Sequence, residues 1–159
     1  MDAGTEFSMK LTDGKTLTYR IIGINHDDPA GESGKAGLTF LTTTTGIWSP
    51  MNAIDTNAGG WEKSELRQKM NSGKIWNLMP SDFQSKVKAV KKLSNNVGGG
   101  DENKNAAVTA TSDKLFLLSY YEIAPPPPIG HPIPGLPPRA PSTRPSKARG
   151  RRTILLMPV

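Results

Sequence analysis

The stretch Trp61-Glu62-Lys63-Ser64-Glu65-Leu66-Arg67-Gln68-Lys69-Met70-Asn71 decides the fold class. Leu66 and Met70 stand four residues apart and share one face of a helix, while Glu62, Lys63 and Lys69 point elsewhere. Glu65 and Lys69 have the spacing of an ordinary surface ion pair. Gly73 is placed to end the helix. Moving toward the C-terminus, residues 75–79 read as a short apolar turn. Pro80-Ser81-Asp82 then opens a second short helix to about residue 85, since proline suits a first helical turn. Residues 86–94 mix two periods, and the alternation of Val87, Ala89 and Leu93 predicts a strand from about Val87. Residues 95–105, with three consecutive glycines, predict a mobile loop. Residues 114–121, containing Leu-Phe-Leu-Leu, predict a strand buried on both faces. Toward the N-terminus, the β-branched and aromatic runs at 17–24 and 37–44 predict two more strands, with Leu38 and Phe40 of the second on one face. Between them Asn25-His26-Asp27-Asp28-Pro29 makes a polar turn. Helix and strand do not alternate regularly. The expected class is therefore α+β: a small mixed or antiparallel sheet with one or two short helices, followed by a disordered Pro/Arg-rich tail.

Composition divides the chain unevenly. Its 159 residues have room for one domain, and cysteine is absent, which excludes disulfides, thiol catalysis and cysteine-held metals. The formal charge of +6 is not spread evenly. Arg139, Arg144, Lys147, Arg149, Arg151 and Arg152 lie beyond residue 123 with no acid among them. The preceding body holds 14 acids and as many basic residues, so it is neutral. Of 14 prolines, 11 lie between Pro125 and Pro158. Such a segment builds no core and is expected to be extended or disordered over 124–159. Its terminal apolar run, Ile154-Leu155-Leu156-Met157, is too short to anchor alone. Residues 1–8 read as a polar leader, and Gly4-Thr5-Glu6-Phe7 matches what two adjacent cloning sites encode. The expected domain thus covers 9–123. No apolar run approaches the roughly 20 residues of a membrane span, and the N-terminus lacks the order of a signal peptide. Cell surface, virion and cytoplasm all remain open.

Few residues carry a pattern that chemistry requires. His26-Asp27-Asp28 offers imidazole and carboxylates, but adjacent residues seldom ligate one ion, so the reading is a solvated turn and no metal. Asp101 sits beside the glycine run without the spacing of a calcium loop, and no G-K-[ST] follows for phosphate. Serines and threonines are many, yet there is no nucleophile elbow. Asp55, Glu62, Glu65 and Asp113 do not single out a catalytic pair. No catalytic residue and no cofactor is assigned. Trp48, between Ile47 and Ser49-Pro50, reads as the exposed aromatic, whereas Trp61 and Trp76 read as core. We take Trp48, Asn25, His26 and Asp27 as the ligand-binding candidates. In the tail, Pro134, Pro137 and Arg139 fit the P-x-x-P-x-R form of an SH3-type ligand. His131 among the tail prolines reads as inert. The basic run at 147–152 would meet nucleic acid only non-specifically.

Two segments resemble one family. Residues 61–71 are similar to a W-x-x-S-x-[IL]-R-x-x-[LM]-N motif. Thr111-Ser112-Asp113-Lys114-Leu115-Phe116-Leu117-Leu118-Ser119 continues to Glu122 as a T-x-D-K-[LVI]-F-L-L-S-x-x-E motif. Both belong to an uncharacterised domain family found in gut-type bacteria and their phages, and the resemblance covers about residues 17–123. The family brings no activity with it. Its architecture implies a C-type-lectin-like relative that binds through loops, by analogy of fold. The resemblance also implies that Trp61, Ser64, Arg67, Asn71, Asp113 and Lys114 hold structure, with Arg67 and Asp113 able to pair across the core. Family members usually continue into a further half with a W-W-L-R-S-like motif; here the Pro/Arg tail follows, which suggests a truncated, frameshifted or fused member. The expected function is a non-catalytic binding or structural module of bacterial or phage origin, for a glycan or protein. Two alternatives stand beside it: a small hydrolase using body carboxylates, and an adaptor acting through the polyproline and basic tail.

Overall fold

The computed structural model describes residues 2–31, 33–44, 46–96, 107–118 and 156–158. Strands β1 (Glu6–Lys10), β2 (Thr16–Ile24) and β3 (Leu38–Thr44) form an antiparallel meander. A three-residue strand, Leu156–Pro158, pairs antiparallel with the outer edge of β3. The helical segment comprises α1 (Gly60–Lys63), α2 (Glu65–Asn71), a 3₁₀ turn (Trp76–Leu78) and α3 (Ser81–Gln84). Strands β4 (Val90–Asn95) and β5 (Val108–Asp113) close a separate antiparallel pair. The class is α+β, with antiparallel sheets and short helices. No described helix is long and apolar enough to cross a membrane.

Alternation along the meander places the core. Phe7, Met9, Leu17, Tyr19, Ile21 and Phe40 share the sheet face that meets the helices, because side chains of a strand alternate faces with period two. Against them pack Leu66 and Met70 of α2, Ile75 and Met79 around the 3₁₀ turn, and Leu115. A smaller cluster of Ala36, Val90 and Phe116, flanked by Leu41 and Trp61, lies where β3 meets the β4–β5 pair. The register of β2 on β3 shifts at Thr18/Tyr19 and at Ile21/Gly23. At the second shift Gly23 passes so close to the next turn that a Cβ would stand 3.1 Å from the His26 Cβ, tighter than most side-chain contacts.

Several expectations need correction. The helix over 61–71 is two helices, because Ser64 adopts an extended backbone and its side chain accepts the Arg67 N–H as an N-cap. The residues read as a leader are not all outside the fold. Glu6, Phe7 and Ser8 pair with β2, and the Phe7 ring stacks on Tyr19 at 5.8 Å and meets Phe40 edge-on. The strand expected from Val87 starts at Val90, since Val87 still donates its N–H to the Phe83 carbonyl in the turn after α3. Over its described part, residues 114–118, the strand expected at 114–121 is not formed. The ladder runs through Val108–Asp113 and ends there, while Leu115 and Phe116 are fully buried beyond it. Threonine-rich Val-Thr-Ala-Thr-Ser-Asp hides its alternation from a hydrophobicity reading, although Thr suits a pleated surface. Asn95 ends β4; the rest of the glycine loop (97–105) and residues 119–155, including His131, Pro134, Pro137 and Arg139, lie outside the described residues.

Candidate functional site

The motif residues converge on one carboxylate. Asp113 ends β5 with 0% of its surface exposed. The Trp61 indole Nε1–H donates to its Oδ2 at 2.8 Å, the Thr111 hydroxyl donates to the same oxygen at 2.6 Å, and Arg67 Nε donates to Oδ1 at 2.6 Å. Arg67 reaches further to the carbonyls of Glu62 and Ser112. Next to it Asn71 caps the following turn: its Oδ1 accepts the N–H groups of Lys114 and Leu115, and its Nδ2 donates to the Leu115 carbonyl. Lys114 lies over the Trp76 ring, 4.5 Å from its centre. Each residue's place follows from local structure. The Ser64 cap turns the chain so that Arg67 and Asn71, one helical turn apart, present the same side to β5. A carboxylate accepting a charged and two neutral donors is satisfied in a dry site. The arrangement ties α1 and α2 to β5 and leaves the acid no exposed surface.

A second buried carboxylate lies in the turn after β2. Asn25 turns the chain with φ of 51°, a left-handed conformation that Asn tolerates better than most residues. Asp27 is 7% exposed; the Thr39 hydroxyl donates to its Oδ2 at 2.5 Å and Lys92 Nζ donates to its Oδ1 at 3.1 Å. The same lysine stands 4.1 Å over the Phe116 ring. Burial by itself would raise the Asp27 carboxyl, but the Thr39 hydrogen bond and the Lys92 charge together hold it below its ordinary value. Of the residues taken as ligand-binding candidates, Asn25, His26 and Asp27 are thus neighbours in one turn. Asp27 is taken up by Thr39 and Lys92, and His26, whose side chain is 69% exposed, approaches it only at 3.7 Å. Trp48 is 68% exposed in a segment without helix or strand. Asp28 pairs with Lys35 across the same loop. Among the described residues no three His, Cys, Asp or Glu side chains gather where a metal could sit.

A concave feature among the described residues lies elsewhere, and sequence reading missed it. A groove of about 570 Å³ runs between β1 and the α3 segment. Phe7 and Met9 of β1, Tyr19, Leu38 and Phe40 line one side; Pro80 and Phe83 line the other; Lys10, Asp82 and Lys86 stand at the polar rim. The rings interlock: Tyr19 meets Phe40 edge-on at 5.2 Å and Phe83 at 6.2 Å, the offset and edge geometries that aromatic quadrupoles favour. Burial, and then the Asp82 charge, push the Tyr19 hydroxyl above its ordinary value, so it stays a neutral donor. The signal that could have found the groove is the alternation Glu6-Phe7-Ser8-Met9-Lys10, set against Pro80 and Phe83 on a turn of their own. Its volume falls in the range of ligand pockets, about 300–1,000 Å³, and its apolar wall with few polar groups is their usual composition.

No curated protein and no solved structure matches the chain. A family model does: it matches residues 36–146, beginning just before β3 and running beyond the composition break at 123. With well over half of its residues matched, the chain belongs to the family described as a domain of unknown function, DUF6273.

Proposed function

We propose that this chain is a non-catalytic binding module, of bacterial or phage origin, that takes a glycan or protein ligand in the aromatic groove between β1 and α3. The groove is the observation that carries this reading. It offers aromatic and aliphatic wall to an apolar or planar group, with Lys10, Lys86, Asp82 and the Tyr19 hydroxyl as orienting polar groups. This moves the binding site away from the His26 turn and Trp48. The lectin-like character suggested by the family motifs would then lie in recognition without turnover, but at a sheet–helix groove instead of the long loops. The chemistry of the two buried acids favours binding over hydrolysis. Asp113 has its oxygens occupied by Trp61, Thr111 and Arg67, and Asp27 is held ionised. General acid–base catalysis works best with a group poised near the working pH, and both shifted groups, Asp27 and Tyr19, move away from neutrality.

The test is a glycan array and a peptide library probed with the full chain, followed by titration of any hit against Phe83→Ala. The expected result is a bound, chemically unchanged ligand whose affinity falls at least about tenfold in the variant, measured at a temperature where circular dichroism shows the variant folded, since Phe83 also packs on the core. Affinity that ignores Phe83→Ala, or release of a cleaved product, would overturn the reading.

A further inference from the structure

The free edge of β1 is complementary to itself. We infer that two copies of this chain associate through antiparallel pairing of β1 with β1, joining their meanders into one continuous sheet. This goes beyond the groove reading and does not depend on it.

The ladder with β2 shows which backbone groups are available. Leu11 donates its N–H to the Lys15 carbonyl, and Ile21 donates to the Thr5 carbonyl. These bonds lie on the same register as Glu6↔Arg20 and Phe7↔Tyr19, so the odd-numbered residues of this hairpin arm face β2. In an antiparallel ladder the bonding side alternates from residue to residue. The N–H and C=O groups of Glu6, Ser8 and Lys10 therefore point away from the sheet, and β1 is its terminal strand. None of the six has a partner among the described residues, and the three side chains are exposed while Phe7 and Met9 are half-buried. Such an edge is a template for another strand.

The side chains identify which strand. Place a second Glu-Phe-Ser-Met-Lys antiparallel to the first with the two Ser8 residues opposed. Glu6 then faces the other copy's Lys10 at both ends, Phe7 faces Met9, and Ser8 faces Ser8. This centring also opposes outward-facing residues to outward-facing residues, as the hydrogen bonds require, and closes about six of them across a twofold axis. Opposite charges across a ladder attract and like charges repel. A lysine alone on an edge would repel a second copy; a glutamate and a lysine placed symmetrically about Ser8 recruit one. Among the described residues neither Lys10 nor Glu6 is held in an ion pair, and Glu6 accepts a long hydrogen bond from the Thr43 hydroxyl. Phe7 and Met9 also line the groove, so pairing would bring the two grooves side by side across the axis. Five residues a side make a small interface, and the dimer should be weak and concentration-dependent.

Sedimentation velocity of the full chain across a concentration series tests the pairing, with circular dichroism to check folding. Ser8→Pro removes an outward N–H without touching a bond to β2, and should yield a folded monomer. E6K and K10E each place like charges opposite one another and should be monomeric alone. Mixed in equal amounts, the two variants regain both opposed charges and should form a heterodimer, a rescue that general damage to the fold would not produce. A wild-type chain that stays monomeric throughout the series overturns the inference. So does a dimer that survives Ser8→Pro, or a mixture of E6K and K10E that fails to associate.

Discussion

Asp113 and Asp27 are both buried carboxylates that fasten one segment to another, yet they sit in regions of different kind. Asp113 lies at the junction of α1, α2 and β5, wholly enclosed, with a guanidinium, an indole and a hydroxyl on it. Asp27 lies in an exposed turn and reaches inward to a hydroxyl of β3 and an ammonium of β4. The first carries its partners in two recognisable sequence segments. The second borrows a threonine and a lysine that nothing in the local sequence marks. A carboxylate in a polar turn is therefore poor evidence for a ligand site, because the fold can draw it into its own interior. The comparison also shows how the two sheets are joined. Asp113 and Asp27 both meet the β4–β5 pair near its Val90–Asp113 end, one holding it to the helices and the other to the meander.

The comparison can be broken at its strongest point first. Asp113→Ala would leave Arg67 as a partly buried cation without its partner and the Trp61 N–H without an acceptor. Removing one member of a buried pair costs about 3–5 kcal/mol. Urea unfolding followed by tryptophan fluorescence should show that loss, and a loss below about 1 kcal/mol would mean the junction is solvated.

Asp27→Asn should cost less, about 1–3 kcal/mol near neutral pH, because a hydrogen-bond acceptor remains for Thr39 while the charge opposite Lys92 is gone. The pH dependence sharpens it. Asp27 has a folded value below its ordinary 3.8, so its contribution is present above that unfolded value and is lost as pH falls through the lower, folded one. The gap between wild type and Asp27→Asn should accordingly be constant above about pH 5 and close under acid conditions. A gap that widens on acidification would contradict the assigned sign. The smallest effect is at the cap. Ser64→Ala removes the acceptor for the Arg67 N–H and should cost about 1 kcal/mol, read as a lowered melting temperature with the Asp113 pairing intact.

Part of this architecture could be read from residue types alone. Residues 16–24 and 38–44 are rich in β-branched and aromatic side chains that suit a pleated strand whatever surrounds them. The four-residue spacing of Leu66 and Met70 demands a helix. The pairing of Arg67 with Asp113 was reachable through the motifs, since a fixed arginine and a fixed aspartate in an otherwise apolar setting need each other. Other features were out of reach. The chain from Glu6 to Lys10 looks like polar leader because only two of its five residues are apolar, and its strand character comes from the β2 ladder beside it. Val108–Asp113 is a strand because β4 pairs with it, not because its own sequence insists.

What the sequence by itself determined is the neutral body, the concentration of proline and arginine after residue 123, the absence of cysteine chemistry and the α+β alternation of periods. These depend on composition and on contacts between near neighbours. Only the tertiary structure decided that Asp27 faces inward, that Ser64 divides the central helix, and that Phe7, Tyr19, Phe40 and Phe83 meet around a groove. Each of these rests on residues far apart in the chain. Burial and hydrogen bonding between distant segments are set by how the elements pack, which local propensity does not encode.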